Sequence, residues 1–284
     1  MSILRRALSP GCPGLEINHP LARARVAQQG AQILGWTPSG QAPVLYLSPQ
    51  AVCRPGAALR GGVPVCWPWF GPHPTDPAGP SHGVARTRCW ELGEVAEHAA
   101  GVDLQFILTD SVDSRQTWPE AFRLELAMRI GAELRLTLRM VNTGDRPWTA
   151  TGALHTYLAV GDIRQVYVTG LEGADYLDEA ARPPTVRRQE GEVRFAGEVD
   201  RDYRSAGLVR VHDPALGRVV EVEGSGSQCC VVWNPWIDKA KSLADLPDRD
   251  YERFVCVETA NAWEDRVVVE PGGVHTLGTV LRVR

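Results

Sequence analysis

Residues 122–140 constrain the fold more tightly than any other stretch of the chain. Phe122, Leu124, Leu126, Met128 and Ile130 alternate with Arg123, Glu125, Ala127 and Arg129; after Gly131-Ala132, Leu134, Leu136, Leu138 and Met140 alternate with Glu133, Arg135, Thr137 and Arg139. A period of two sends successive side chains to opposite faces of an extended chain, so each run is a strand with one face in a core. Asn142-Thr143-Gly144-Asp145 ends the second run, and the short break between the runs makes them a hairpin. Similar signals recur at 102–108, 208–211, 218–223, 228–233, 254–259 and 275–283, separated by Gly, Pro and Asp clusters, and no long stretch keeps a helical period. The 28 glycines and 21 prolines among 284 residues fit many turns and short strands better than helices. The expected fold is all-β: one large antiparallel β-sandwich filling residues 1–284 as a single domain, with α turns confined to loops.

Composition narrows the partners. Lys and Arg number 30 against 34 Asp and Glu, which gives no electrostatic footprint for nucleic acid or an anionic membrane. The apolar stretch near the start is too short for a signal-peptide core, and no run approaches the length of a membrane helix, so a cytoplasmic location is expected. Seven cysteines, at 12, 53, 66, 89, 229, 230 and 256, show no CxxC or zinc-ribbon spacing. They read as reduced thiols, mostly small core fillers.

Phosphate-loop, HExxH and GxSxG motifs are absent. Gly224-Ser225-Gly226-Ser227 lacks the third glycine of a dinucleotide turn and precedes a strand, so it reads as a flexible hairpin turn. Four other segments look unlike scaffold. Residues 60–72, RGGVPVCWPWFGP, pack three aromatics, three prolines and three glycines into a stiff loop. Such a loop either covers the core or forms an apolar wall for a sugar beside the Arg60 fork. Ser81-His82-Gly83-Val84-Ala85-Arg86 sets an imidazole and a guanidinium in the turn-prone stretch that follows. Residues 153–158, ALHTYL, read as a strand that puts His155 and Tyr157 on one face; His155 is either a hydrogen-bonded core residue or an acid–base group. Within the apolar strand 254–259, FVCVET, an unpaired Glu258 would be costly, so it is either half of an ion pair or a carboxyl with a displaced pKa.

Together these segments resemble the hexose-6-phosphate mutarotases (glucose-6-phosphate 1-epimerases) of the aldose 1-epimerase superfamily. The resemblance rests on RGGVPVCWPWFG at 60–71, SHGVAR at 81–86, TGALHTYLAVGDI at 151–163, GEVDRDY at 197–203 and VWNPWIDKAKSLADLPDRDYERFVCVETANA at 232–262. It implies a galactose-mutarotase-like supersandwich without metal or cofactor, Glu258 as general base, His155 as general acid, and Arg60, His82, Arg86 and Asp200 as substrate contacts. Asp202, two residues beyond Asp200, competes for the last role. The implied partner is a small phosphosugar, and a monomer is expected.

The chemistry is coherent by itself. Exchanging the anomers of an aldose requires one group to remove the anomeric hydroxyl proton and another to protonate the ring oxygen, opening the ring to an aldehyde that recloses on its other face. Glu258 as carboxylate and His155 as imidazolium, facing each other across a pocket, supply that pair. Arg86, helped by Arg60, is expected to hold the phosphate away from the anomeric carbon, with Lys239 and Lys241 in a polar loop as weaker candidates. A free-aldose mutarotase would lack the phosphate pocket. A non-catalytic carbohydrate-binding protein would not need the acid–base pair, and a glycosidase would need two carboxylates flanking the bond.

Overall fold

The alternating run at 122–140 forms the strands Phe122–Ile130 and Leu134–Asn142, paired from Phe122↔Asn142 to Ile130↔Leu134. All nine of its inward-facing residues are at most 2% exposed. Each apolar side chain so buried contributes roughly 1.5–3 kcal/mol. On the opposite face, Glu125 lies between Arg123 and Arg139 at 2.7 and 2.9 Å, in the company of water.

The structure is a computed structural model that describes residues 2–284. The hairpin lies within a nine-stranded antiparallel sheet. Its order runs from Val193–Arg194 through Tyr167–Thr169, Leu208–Asp213, Arg218–Ser225, Val274–Val283, the hairpin and Gly101–Thr109 to Glu91–His98. Facing it is an eight-stranded sheet ordered Thr185–Arg188, Asp175–Asp178, Val199–Arg204, Cys229–Asn234, Phe254–Asn261, Gly152–Leu154 and Val65–Cys66; Tyr157–Ala159 also pairs with Phe254–Asn261. Val255 and Val257 of the second sheet share a buried cluster with Leu277 and Leu281 of the first, which makes the sandwich. No helix among the described residues is long and apolar enough to cross a membrane.

A four-stranded meander, Ile3–Ser9, Cys12–His19, Ala22–Ala27 and Gln32–Pro38, adds a sheet that the alternation did not reveal. Gln32–Pro38 is buried at five of its seven positions and so shows no clean period. Its Trp36 joins the main core and donates from Nε1 to the Gly131 carbonyl at 3.1 Å.

Three local expectations are corrected. Residues 224–227 are not a hairpin turn: they carry the chain from Arg218–Ser225 in one sheet to Cys229–Asn234 in the other. Gly226 has φ +71°, and a Cβ there would lie 1.8 Å from the Thr276 carbonyl oxygen, so close backbone approach demands the glycine. The polar loop around Lys239 and Lys241 is instead the helix Trp236–Ser242. The cysteines are not all reduced, because Cys12 and Cys53 form a disulfide with Cα atoms 5.9 Å apart. Folding brings together residues 41 positions apart in sequence, a closure no short motif announces. Of the remaining five, Cys66, Cys229, Cys230 and Cys256 are buried fillers and Cys89 is exposed.

Candidate active site

Strand register assembles the site. Leu154↔Thr259 and Tyr157↔Cys256 lie in one continuous register, which sets His155 directly opposite Glu258 on the neighbouring strand. Across the next two strands Glu258 pairs with Val231 and Val231 with Asp202, giving a row His155, Glu258, Val231, Asp202. The adjacent row on the same face is Tyr157, Cys256, Trp233, Asp200. Residues two apart on a strand share a face, so these rows make one surface. It floors a cavity of about 1080 Å³ that His155, Glu258, Asp200 and Asp202 line, together with Arg60, His82 and Arg86. All six residues expected to act on substrate, and the competing Asp202, therefore meet in one place.

The walls come from the two irregular segments. Gly83, at φ +70°, has its Cα so close to Trp67 that a Cβ would lie 2.0 Å from the Trp67 carbonyl oxygen. Val84 N–H donates to that same oxygen at 2.9 Å, which clamps the His82 turn onto the aromatic loop. His82 N–H donates to the Gly71 carbonyl at 2.7 Å, and its Nδ1 accepts from Gly71 N–H at 3.3 Å. A neutral ring in this setting carries its hydrogen on Nε2. The aromatic loop divides between two tasks. Trp69 and Phe70 line the cavity, whereas Trp67 is fully buried, edge-on to Trp118, Phe122 and Trp148, and belongs to the core.

The cations are held differently. Arg60 pairs with Asp245 at 2.7 Å and reaches the Tyr157 hydroxyl at 3.3 Å. Arg86 donates from Nη2 to the Ser81 carbonyl at 2.9 Å, while its buried Nε has no partner. Lys239 contacts Glu198 at 2.9 Å and Asp200 at 3.2 Å, so its charge is already matched. Lys241 does not line the cavity, but Arg182 and Arg266 do. Those two escaped the sequence reading because each is a lone arginine in a short loop, Arg266 three residues after Trp263, with no motif that marks it apart from the other arginines.

His155 Nδ1 and Glu258 Oε1 are 3.3 Å apart, in direct contact rather than on opposite sides of a pocket. This suits the reaction better than the wider separation expected, because the anomeric hydroxyl and the ring oxygen are bonded to one carbon. The expected charges are also reversed. Burial, reinforced by Asp202 and Asp200, pushes the Glu258 carboxyl well above its usual range. Burial, with His82, Arg86 and Arg60 adding to it, pulls His155 well below the usual imidazole range. In the ligand-free cavity the favoured state is a carboxylic acid beside a neutral imidazole, since separated charges are costly away from water. The pair still holds one transferable proton, and a carboxylate–imidazolium pair differs from it only in which of the two groups carries that proton. His82 is held neutral too: burial first, then the Arg86, Arg60 and Lys239 charges, push its pKa down to about 3. Asp202 is pushed up to about 7 by burial and by Asp200 and Glu179.

The comparisons agree with this architecture. The family model for aldose 1-epimerase matches residues 13–282. A proposed glucose-6-phosphate 1-epimerase of Escherichia coli K12 is 39% identical over 91% of this chain and 86% of its own. The crystal structure of a proposed mutarotase from Salmonella typhimurium superposes with a TM-score of 0.92 at 35% identity, over 99% of this chain and 93% of that one. A galactose mutarotase-like protein of Clostridium acetobutylicum, 12% identical, shares the fold alone, with a TM-score of 0.78 over 99% of this chain and 98% of that one. The chain is a β-sandwich isomerase and belongs to the aldose 1-epimerase family.

Proposed function

We propose that the protein interconverts the α and β anomers of a hexose 6-phosphate such as glucose 6-phosphate, with Glu258 and His155 as the proton-transfer pair. The observation that carries this reading is the buried contact between those two groups in the floor of an arginine-bordered cavity. Glu258 takes the anomeric hydroxyl proton and His155 delivers its own to the ring oxygen as the bond from the anomeric carbon to that oxygen breaks. Rotation beside the aldehyde and reclosure with the roles reversed give the other anomer, and the pair ends with the one proton it began with. Burial is the main reason His155 is neutral; a phosphate dianion offsets the Arg86 and Arg60 charges that add to it, so the phosphorylated sugar shifts the balance toward the imidazolium form. Asp200, Asp202 and the His82 Nε2–H are placed to hold sugar hydroxyls, the positioning part of catalysis.

Arg86 lines the cavity and its guanidinium donates to the Ser81 backbone carbonyl rather than to a carboxylate, which supports Arg86 as a phosphate ligand, since a guanidinium fork fits phosphate oxygens. Arg86→Ala is expected to raise KM for glucose 6-phosphate at least about tenfold more than KM for glucose, as loss of a charge-assisted contact implies. Steady-state mutarotation of both sugars measures this. Equal efficiency on both sugars in the wild type, with equal effects of the substitution, moves the assignment to a free-aldose mutarotase. A phosphate-selective effect of Arg266→Ala in place of Arg86→Ala moves the phosphate to Arg266, which also lines the cavity.

A further inference from the structure

Cys256 lies beneath the reaction pair without lining the cavity, and the proton transfers do not use it. We propose that His155, Cys256 and Glu258 form a binding site for a soft divalent cation, Zn2+ above all, whose occupancy blocks the reaction. One nitrogen, one sulfur and one carboxylate oxygen from these side chains all lie within 4.8 Å of one another. Two of the donors already touch, His155 Nδ1 and Glu258 Oε1 at 3.3 Å. All three residues are at least nine-tenths buried. Two polar atoms in the cluster, His155 Nδ1 and Glu258 Oε2, have no hydrogen-bond partner, an arrangement that invites a ligand.

The donor set selects the ion. Thiolate and imidazole suit zinc, cobalt and copper and offer little to magnesium or calcium, which prefer an all-oxygen shell. Zinc bonds of about 2.0–2.3 Å separate tetrahedral ligands by about 3.5 Å, so the cluster closes on an ion with side-chain shifts on the order of 1 Å. His155 and Glu258 open to the cavity, which provides the path of entry and leaves the fourth position to water. Binding expels two protons to solvent, the Cys256 thiol proton and the one held by the Glu258–His155 pair, and turns the lone pairs of both reacting groups onto the metal. With both groups bound, neither proton transfer is available.

The metal site stands on this geometry alone, whereas the inhibition rests on the acid–base reading of the pair. Chelator-treated full-length enzyme, titrated with Zn2+ and separately with Co2+, tests both. One equivalent of Co2+ should give a near-ultraviolet thiolate-to-cobalt band, present in wild type and in Cys89→Ser and absent in Cys256→Ser. Zn2+, unlike Mg2+, should abolish wild-type mutarotation, and a chelator should restore it. Cys256→Ser should keep its basal rate and need at least about tenfold more Zn2+, because even an outer-shell partner is worth that much affinity. Should Cys256→Ser not fold, Glu258→Gln must weaken Co2+ binding by a similar factor while the thiolate band persists. No thiolate band in the wild type, or a band that survives in Cys256→Ser, overturns the site. A band accompanied by undiminished mutarotation of the loaded enzyme leaves the site standing and removes His155 and Glu258 from the chemistry.

Discussion

The hairpin at 122–142 and the strand pair 229–234 with 254–261 are both regular antiparallel ladders, yet they obey different rules. In the hairpin, burial alternates along the chain because one face meets the core and the other meets water. In the second pair every residue is buried, because the sandwich core covers one face and the loops that wall the cavity shield the other. A polar side chain on the hairpin's outer face is satisfied by solvent and its neighbours. On the site face of the second pair the carboxyls sit deep in the cavity floor, and burial displaces the titration of Glu258 and the flanking Asp202. The groups proposed to carry the proton transfer therefore lie where the fold least welcomes charge.

The most severe test of that contrast is Glu258→Gln, which keeps the shape and removes the base. Turnover should fall by about 10²- to 10⁴-fold after the spontaneous mutarotation of the sugar is subtracted, the usual scale for a lost general base. Thermal stability near neutral pH should hold or rise, because burial penalises ionisation of the Glu258 carboxyl and an amide does not ionise. An undiminished enzymatic rate would make Glu258 a structural residue and erase the functional half of the comparison.

In the hairpin the balance should invert. Leu138 is fully buried at the centre of the nine-stranded sheet, so Leu138→Ala removes apolar contacts and leaves a cavity. Urea denaturation should show a loss of about 2–5 kcal/mol, while kcat of the folded fraction stays at the wild-type value. A proportionate fall in kcat would show that the scaffold sheet transmits packing changes to the site.

The same contrast explains what the sequence discloses. Alternation exposes a strand with one wet face, so the hairpin was legible to the residue in its first strand and up to Met140 in its second, which runs on to Asn142. It fails where both faces are dry, as at Gln32–Pro38, and in Ala22–Ala27 the alternation is present but short and carried by small alanines opposite arginines, so the N-terminal sheet went unseen. Glu258 was legible for a complementary reason, as a carboxylate within an apolar run. Its contact with His155 depends on a register between strands about 100 residues apart, which no local pattern encodes. Trp67 and Trp69 are one proline apart in the same loop, yet one packs in the core and the other lines the cavity; composition alone does not tell them apart. Arg182, Arg266 and the Cys12–Cys53 pairing are likewise products of tertiary closure.

The smallest effect, and the sharpest comparison, concerns Asp202. Its carboxyl is 6% exposed and has its pKa raised from 3.8 to about 7, first by burial and then by Asp200 and Glu179. A group raised in the folded state contributes stability that is fully present below its unfolded pKa and is lost as pH climbs through the folded one. For Asp202 that window runs from the ordinary carboxylate range to about 7. An asparagine side chain stays neutral at every pH in this range, so Asp202→Asn should match wild type near the bottom of the window. It should gain on wild type as pH rises and level off above the top, by at most about 4 kcal/mol from the size of the shift. His82, lowered to about 3, contributes the opposite slope on the acid side, but it is present in both proteins and cancels in the difference. Unfolding free energies of the two proteins across the pH range measure the effect. A difference that does not change with pH, or one that shrinks as pH rises, would mean that Asp202 ionises freely, and the site face of the second strand pair would then be no harsher to charge than the wet face of the hairpin.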